Sequence, residues 1–168
     1  MSAGTTGKDA TTVTTSAYER LRILTTYNKI AMVGLSADPM RPSHFAAIYM
    51  LAEGYDVVGV NPKYAGGTIL DRPVYATLAD APGPLEIVDV FRRPDALPGI
   101  AEEAIDAAAK VLWMQLGIVN EEAAARARGS GLDVVMDRCV KIEHARFFGG
   151  LNWVGMNTGV VTARRKVG

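Results

Sequence analysis

The chain has 168 residues, with 18 Lys plus Arg against 18 Asp plus Glu, 49% hydrophobic residues and a single cysteine. That length fits one domain with a sizeable core, and the zero net charge offers no broad field for nucleic acid or an anionic membrane. Cys139 has no partner for an internal disulfide, no secretory leader is visible and no apolar run reaches the ~18 residues of a membrane span, so a reducing, cytoplasmic setting is expected.

Met1 to Ser16, rich in Thr, Gly, Ser and Ala, reads as a flexible leader (1–16) before a domain spanning 17–149. Tyr18, Leu21, Ile23, Leu24 and Tyr27 give Ala17 to Lys29 an imperfect helical spacing. Ile30 to Val33 is a compact apolar run closed by Gly34, followed by a polar loop and an amphipathic stretch from Pro42 to Glu53. Asp56 to Val60 is a second run, ended by Asn61-Pro62, and Glu86 to Phe91 a third. Leu97, Ile100, Ala101, Ala104, Ile105 and Ala108 then recur at helical spacing between Pro94 and Lys110. Val111 to Gln115 is the fourth run, Asn120 to Arg128 a helix with Asn120 as N-cap, and Leu132 to Met136 the fifth run. Apolar runs alternating with helices predict a Rossmann-like, doubly wound α/β fold: a mainly parallel sheet of five strands with helices on both faces. In such a sheet ligands bind at the carboxyl ends of the strands, where strand order reverses.

The strand ends therefore carry the functional reading. Gly34-Leu35-Ser36, leading to Arg41-Pro42-Ser43, offers a tight turn into a helix N-terminus, which suits a phosphate. It falls short of G-x-G-x-x-G, and a plain strand-to-helix turn is the alternative. After the second strand, Asn61-Pro62-Lys63 stands where an NAD site would carry an acid for the ribose hydroxyls. Lys63 suits a phosphorylated ribose, as in NADP or CoA, or is a solvated surface charge. Phe91 and Arg92 follow the third strand, for a base and a phosphate or else as core and surface. Gln115 and Gly117 end the fourth, presenting an amide and an approachable backbone.

Together these segments resemble the small stand-alone CoA-binding proteins, whose domain is similar to the CoA-binding N-terminal domain of the succinyl-CoA synthetase α subunit. Val33-Gly34-Leu35-Ser36, Arg41-Pro42-Ser43, Gly54-Tyr55-Asp56-Val57, Val60-Asn61-Pro62, Val88-Asp89-Val90-Phe91-Arg92, Trp113-Met114-Gln115-Leu116-Gly117 and Val135-Met136-Asp137-Arg138-Cys139 carry the likeness in order. The resemblance implies a Rossmann-like fold holding CoA or an acyl-CoA by its nucleotide and pyrophosphate. Gly34, Leu35 and Ser36 would line the diphosphate turn, Asn61, Pro62 and Lys63 flank the phosphorylated ribose, and Phe91 and Arg92 border the nucleotide. Gly59 departs from the proline usual before Val-Asn-Pro, and the tail 150–168 lies outside the likeness.

No catalytic set is evident, so a binding protein is expected. The alternatives are an NADP-linked oxidoreductase and a nucleotide-responsive regulatory module with a protein partner still to be named. His44 is expected half-exposed on its helix, and His144 on a surface stretch. One Cys and one His near Glu143 fall short of a metal site. Cys139 is expected to be a buried, inert thiol. The alternative is thiol exchange with CoA, favoured by Arg138 and Lys141 beside it. Arg41, Lys63, Arg92 and Arg138 are expected to concentrate positive charge at one sheet edge.

Overall fold

The structure, a computed structural model, describes residues 15–149. Most of the expected leader and the tail 150–168 lie outside the described residues. The leader's last residues are part of the fold: Ser16 caps α1 (Ala17–Thr26) in a capping box with Glu19, each side chain satisfying the other's backbone N–H.

The chain continues through β1 (Lys29–Val33), α2 (Pro42–Ala52) and β2 (Asp56–Val60). A 3-10 turn at Pro62–Tyr64 leads to β3 (Thr68–Ile69) and β4 (Arg72–Tyr75). Then come β5 (Ile87–Val90), α3 (Leu97–Asp106), β6 (Val111–Met114), α4 (Glu121–Gly129), β7 (Asp133–Val135) and α5 (Val140–Phe148). The sheet has seven strands, not five, in the order β3-β4-β2-β1-β5-β6-β7, and every pairing is parallel except β3 with β4.

The five expected strands are β1, β2, β5, β6 and β7. The two additional strands form a short hairpin whose turn residues, Leu70 and Asp71, both have positive φ (52° and 59°). A turn with two left-handed residues is ordinarily written Asn-Gly or Gly-Gly, so Leu-Asp leaves no signal. Pro73 inside β4 hides it further, and β4 tolerates the proline beside the two-residue β3 near the sheet margin.

The strands are apolar throughout because both sheet faces are covered. Ala31, Val33, Val58, Val88, Val90, Leu112 and Met114 pack with α3 and α4 on one face. Ile30, Met32, Val57, Ile87, Val111 and Trp113 pack with α1, α2 and α5 on the other. Gly59 is closely confined: a Cβ there would stand 3.1 Å from both Leu35 Cδ2 and Val74 Cγ2. A buried ion triad ties the first helix to the last, Arg20 Nε donating to Glu143 Oε2 at 2.8 Å and Arg146 Nη1 to Oε1 at 2.7 Å.

The chain leaves β1 toward β2 on one side, while β5 joins β1 on the other. Strand order therefore reverses between β1 and β5, and their carboxyl ends diverge to open a crevice.

Candidate functional site

A cleft of about 850 Å³ lies over these carboxyl ends. Gly34 ends β1 at its floor with φ +91°, and a Cβ on it would meet the Phe91 carbonyl oxygen at 2.9 Å and Arg92 Nε at 3.3 Å. Both the backbone angle and the space admit only glycine without rearrangement. Asn61, buried after β2, organises the loops around it. Its Nδ2 donates to the Leu35 carbonyl at 3.0 Å, while its Oδ1 accepts the Lys63 N–H at 3.1 Å and Arg92 Nη2 at 3.3 Å. One amide thus sets the β1 loop, the β2 loop and the guanidinium from β5 relative to one another.

The β1 loop is strapped to α2. The Ser36 N–H donates to Ser43 Oγ at 3.1 Å, and His44 Nδ1 lies 2.8 Å from the Ser36 carbonyl, which it reaches as a donor. His44 is therefore buried rather than half-exposed. His144 is buried too, not on the surface, with Nδ1 3.0 Å from the Tyr49 hydroxyl, and burial lowers its pKa. Tyr64, which the strand-end reading overlooked, reaches back across the loop. Its hydrogen bond with Ser36, with Lys63 close by, holds the phenol below its ordinary range.

Of the residues expected at the site, Gly34, Ser36, Arg41, Ser43, Asn61, Lys63, Phe91, Arg92 and Gln115 line this one cleft, as does Cys139. Leu35, Pro62 and Gly117 do not. Leu35 is a core side chain that contributes its carbonyl to Asn61, and Pro62 opens the 3-10 turn with its side chain exposed. Gly117, at φ +80°, gives its N–H to Asp137 Oδ1 at 2.7 Å. Ser36's amide is likewise already donated within the loop. Arg41 reaches Asp38 at 3.8 Å on the surface, and Lys63 Nζ lies 5.3 Å from the Tyr64 ring centre. Arg138 stays out of the cleft, its carbonyl accepting Trp113 Nε1–H at 2.8 Å, and Lys141 takes its place in the wall. Phe91 lines the cleft while packing on the core beneath α2.

Beneath the floor lies Asp89, a fully buried acid in β5 that the strand reading took as part of an apolar run. Gln115 Nε2 donates to its Oδ1, and Oδ2 has no hydrogen-bond partner. Burial pushes this carboxyl up to about 8, so it is protonated at neutral pH. Cys139, at the N-cap of α5, is partly exposed in the wall rather than buried. Burial of its thiol still raises the pKa, against the pull of the Ile142 and Lys141 amides, so the nearby cations do not leave it a ready thiolate.

The cleft has two unlike halves. Over β1, β2 and β5 it presents Ser36, Asn61, Lys63 and Arg92. Toward β6, β7 and α5 it presents Leu116, Ile118, Cys139 and Ile142, faced by Phe45 and Ala46 of α2. Among the described residues no acid lines it, and no group of three His, Cys, Asp or Glu side chains could hold a metal ion. Nor is any described helix long and apolar enough to cross a membrane.

The sequence is 42% identical over 130 residues to the uncharacterized protein YneT of Bacillus subtilis (strain 168), covering 77% of this chain and 95% of that one. The fold is similar to that of a hypothetical protein from Pyrococcus horikoshii OT3, with a TM-score of 0.77 at 40% identity, over 80% of this chain and 94% of the other. It is similar also to the protein ID.343 from Thermus thermophilus, with a TM-score of 0.76 at 34% identity, over 80% and 100% of the two chains. Residues 28–145, a range that includes the strand ends around the cleft, match the CoA binding domain, and the chain belongs to this CoA-binding family.

Proposed function

We propose that the protein holds CoA or an acyl-CoA without transforming it, with nucleotide and pyrophosphate over the carboxyl ends of β1, β2 and β5. The observation that carries this reading is the charge of the cleft: Arg41, Lys63, Arg92 and Lys141 line it, and among the described residues no carboxylate does. A ligand with several phosphates fits that balance, and the zero net charge of the whole chain limits the attraction to this mouth. Gly34 supports it indirectly, because the absent side chain lets the ends of β1 and β5 close on each other and brings Arg92 to the cleft floor at the switch point. In this reading Lys63 faces the phosphate on the ribose, Arg92 the pyrophosphate, and Phe91 the nucleotide. The pantetheine arm then extends toward Gln115 and Cys139.

The likeness to the nucleotide-holding domain of succinyl-CoA synthetase belongs to the same proposal. So do a cytoplasmic setting and a division into a domain at 17–149 between a leader and a tail. Lys63 would serve the 2′-phosphate of NADP as readily as the 3′-phosphate of CoA, which keeps an NADP-linked reading in view. Calorimetric titration with CoA, dephospho-CoA, NADP and NAD separates them. The expected order is CoA tightest, dephospho-CoA weaker, and both dinucleotides weaker still. Tight NADP binding with no response to CoA would overturn the proposal.

A further inference from the structure

Large apolar side chains left on the surface of a small protein are informative when they gather in one place. Among the described residues eight such side chains are exposed, and four of them, Met40 (78%), Phe45 (50%), Leu116 (64%) and Ile142 (39%), line this single cleft. Ile48, also exposed, stands one helical turn beyond Phe45 on α2 and carries the apolar strip outward from the mouth. Within the strip, Phe45 and Ile48 on α2 and Ile142 on α5 stand on two helices that pack on each other, while Met40 and Leu116 come from the loops before α2 and after β6. Its base is uncharged in character: Gln115 is held from below by Asp89, and Cys139 closes the end. Among the described lining residues the cations nearest the strip in the chain are Lys141, beside Ile142, and Arg41, beside Met40. The geminal methyls and short ethylene segments of a pantetheine arm would cover part of this wall, but its hydroxyl and two amides give no reason for the apolar strip to continue to Ile48, outside the cleft lining.

We infer that the β6–β7–α5 half of the cleft is an acyl subsite, which takes the hydrocarbon chain of a CoA thioester of medium length between Phe45 and Ile142 and out toward Ile48. This rests on the CoA reading above. It narrows the ligand from CoA in general to acyl-CoA with an apolar chain of several methylenes. The thioester carbonyl lies near Gln115 and Cys139, and the chain is partly covered, since Phe45 and Ile142 are themselves part-exposed. Full burial of a methylene corresponds to about a fourfold gain in affinity, so a partly covered one should give about twofold. The increments should stop once the chain outruns Ile48.

Calorimetry below the critical micelle concentration, with CoA, acetyl-CoA, octanoyl-CoA and free octanoate as the four probes, reads this directly. Octanoyl-CoA should bind at least tenfold more tightly than acetyl-CoA, and free octanoate should bind far more weakly than either thioester. In Ile142→Asn and Phe45→Ser, both at part-exposed positions, the ratio of octanoyl-CoA to CoA affinity should fall toward one. CoA binding with no dependence on chain length would overturn the acyl subsite while leaving the CoA reading intact. Octanoate binding as tightly as its thioester would also overturn it, because the strip would then act without the nucleotide half. Absence of binding for every CoA species would remove the parent reading and the inference together.

Discussion

Gly34 and Phe91 face each other across the switch point so closely that a methyl group on Gly34 would sit 2.9 Å from the Phe91 carbonyl oxygen. With φ at +91° the same residue is in the region that L side chains rarely adopt. Gly34→Ala should therefore lower stability by about 1–3 kcal/mol and push the β1 and β5 ends apart. Thermal unfolding measures the first effect. CoA titration measures the second, with a loss of tenfold or more expected.

Asn61 and Arg92 separate two roles that a single affinity measurement would merge. Asn61 is buried and bonded to three neighbours, so Asn61→Ala leaves the Leu35 carbonyl and the Arg92 guanidinium without their partner. It should cost about 1–3 kcal/mol of stability as well as affinity. Arg92 is only part-buried, and Arg92→Ala should weaken CoA binding with less than half that effect on unfolding. Equal stability losses in the two variants would contradict this division.

Lys63 is assigned to the phosphate on the ribose. Lys63→Ala should weaken CoA about tenfold and dephospho-CoA much less, and raising the salt concentration should shrink the difference for the wild type. Equal losses for both ligands would remove Lys63 from that phosphate.

Asp89 gives the fold a pH dependence of unusual sign for a carboxylate. Its folded pKa, about 8, lies above the ordinary 3.8, so between those values the unfolded chain releases this proton while the folded one keeps it. Stability from this group is thus fully retained below pH 4, is lost as pH rises through that window, and levels off above pH 8. Asp89→Asn keeps an acceptor for Gln115 and removes the titration. Denaturant unfolding from pH 5 to 9 should show the variant gaining on the wild type by on the order of a few kcal/mol. Parallel curves would show that Asp89 titrates normally.

Cys139 should resist exchange at neutral pH because burial keeps its thiol protonated. Exchange requires the thiolate to attack one sulfur of CoA disulfide, forming the mixed disulfide and releasing one CoA thiolate. Intact-mass measurement should show no added CoA at pH 7 and a growing adduct toward pH 9.5. Rapid modification at pH 7 would mean that the Lys141 and Ile142 amides outweigh burial.

The periodic parts of the fold were readable because burial writes itself into composition. Ile30 to Val33, Val111 to Met114 and the helix behind Asn120 each show the pattern that their packing requires. The β3–β4 hairpin was not, since Leu70 and Asp71 adopt turn angles through tertiary context rather than intrinsic preference. Gly34, Asn61, Arg92 and Gln115, all at strand ends, line one cleft. What strand-end reasoning misses is the direction each side chain takes. Leu35 turns into the core, Gly117 folds onto Asp137, and both histidines are buried by contacts far away in sequence or across a loop. The apolar wall on α2 and α5 is invisible for the same reason: Phe45 and Ile142 lie 97 residues apart and come to line one cleft only through the packing of their helices.

A crystal structure of the protein with bound octanoyl-CoA tests the account most directly. The pyrophosphate is expected beside Gly34 and Arg92, the ribose phosphate near Lys63, and the thioester toward Gln115 and Cys139. Density for the ligand outside this cleft, or with its nucleotide over β6 and β7, would contradict it.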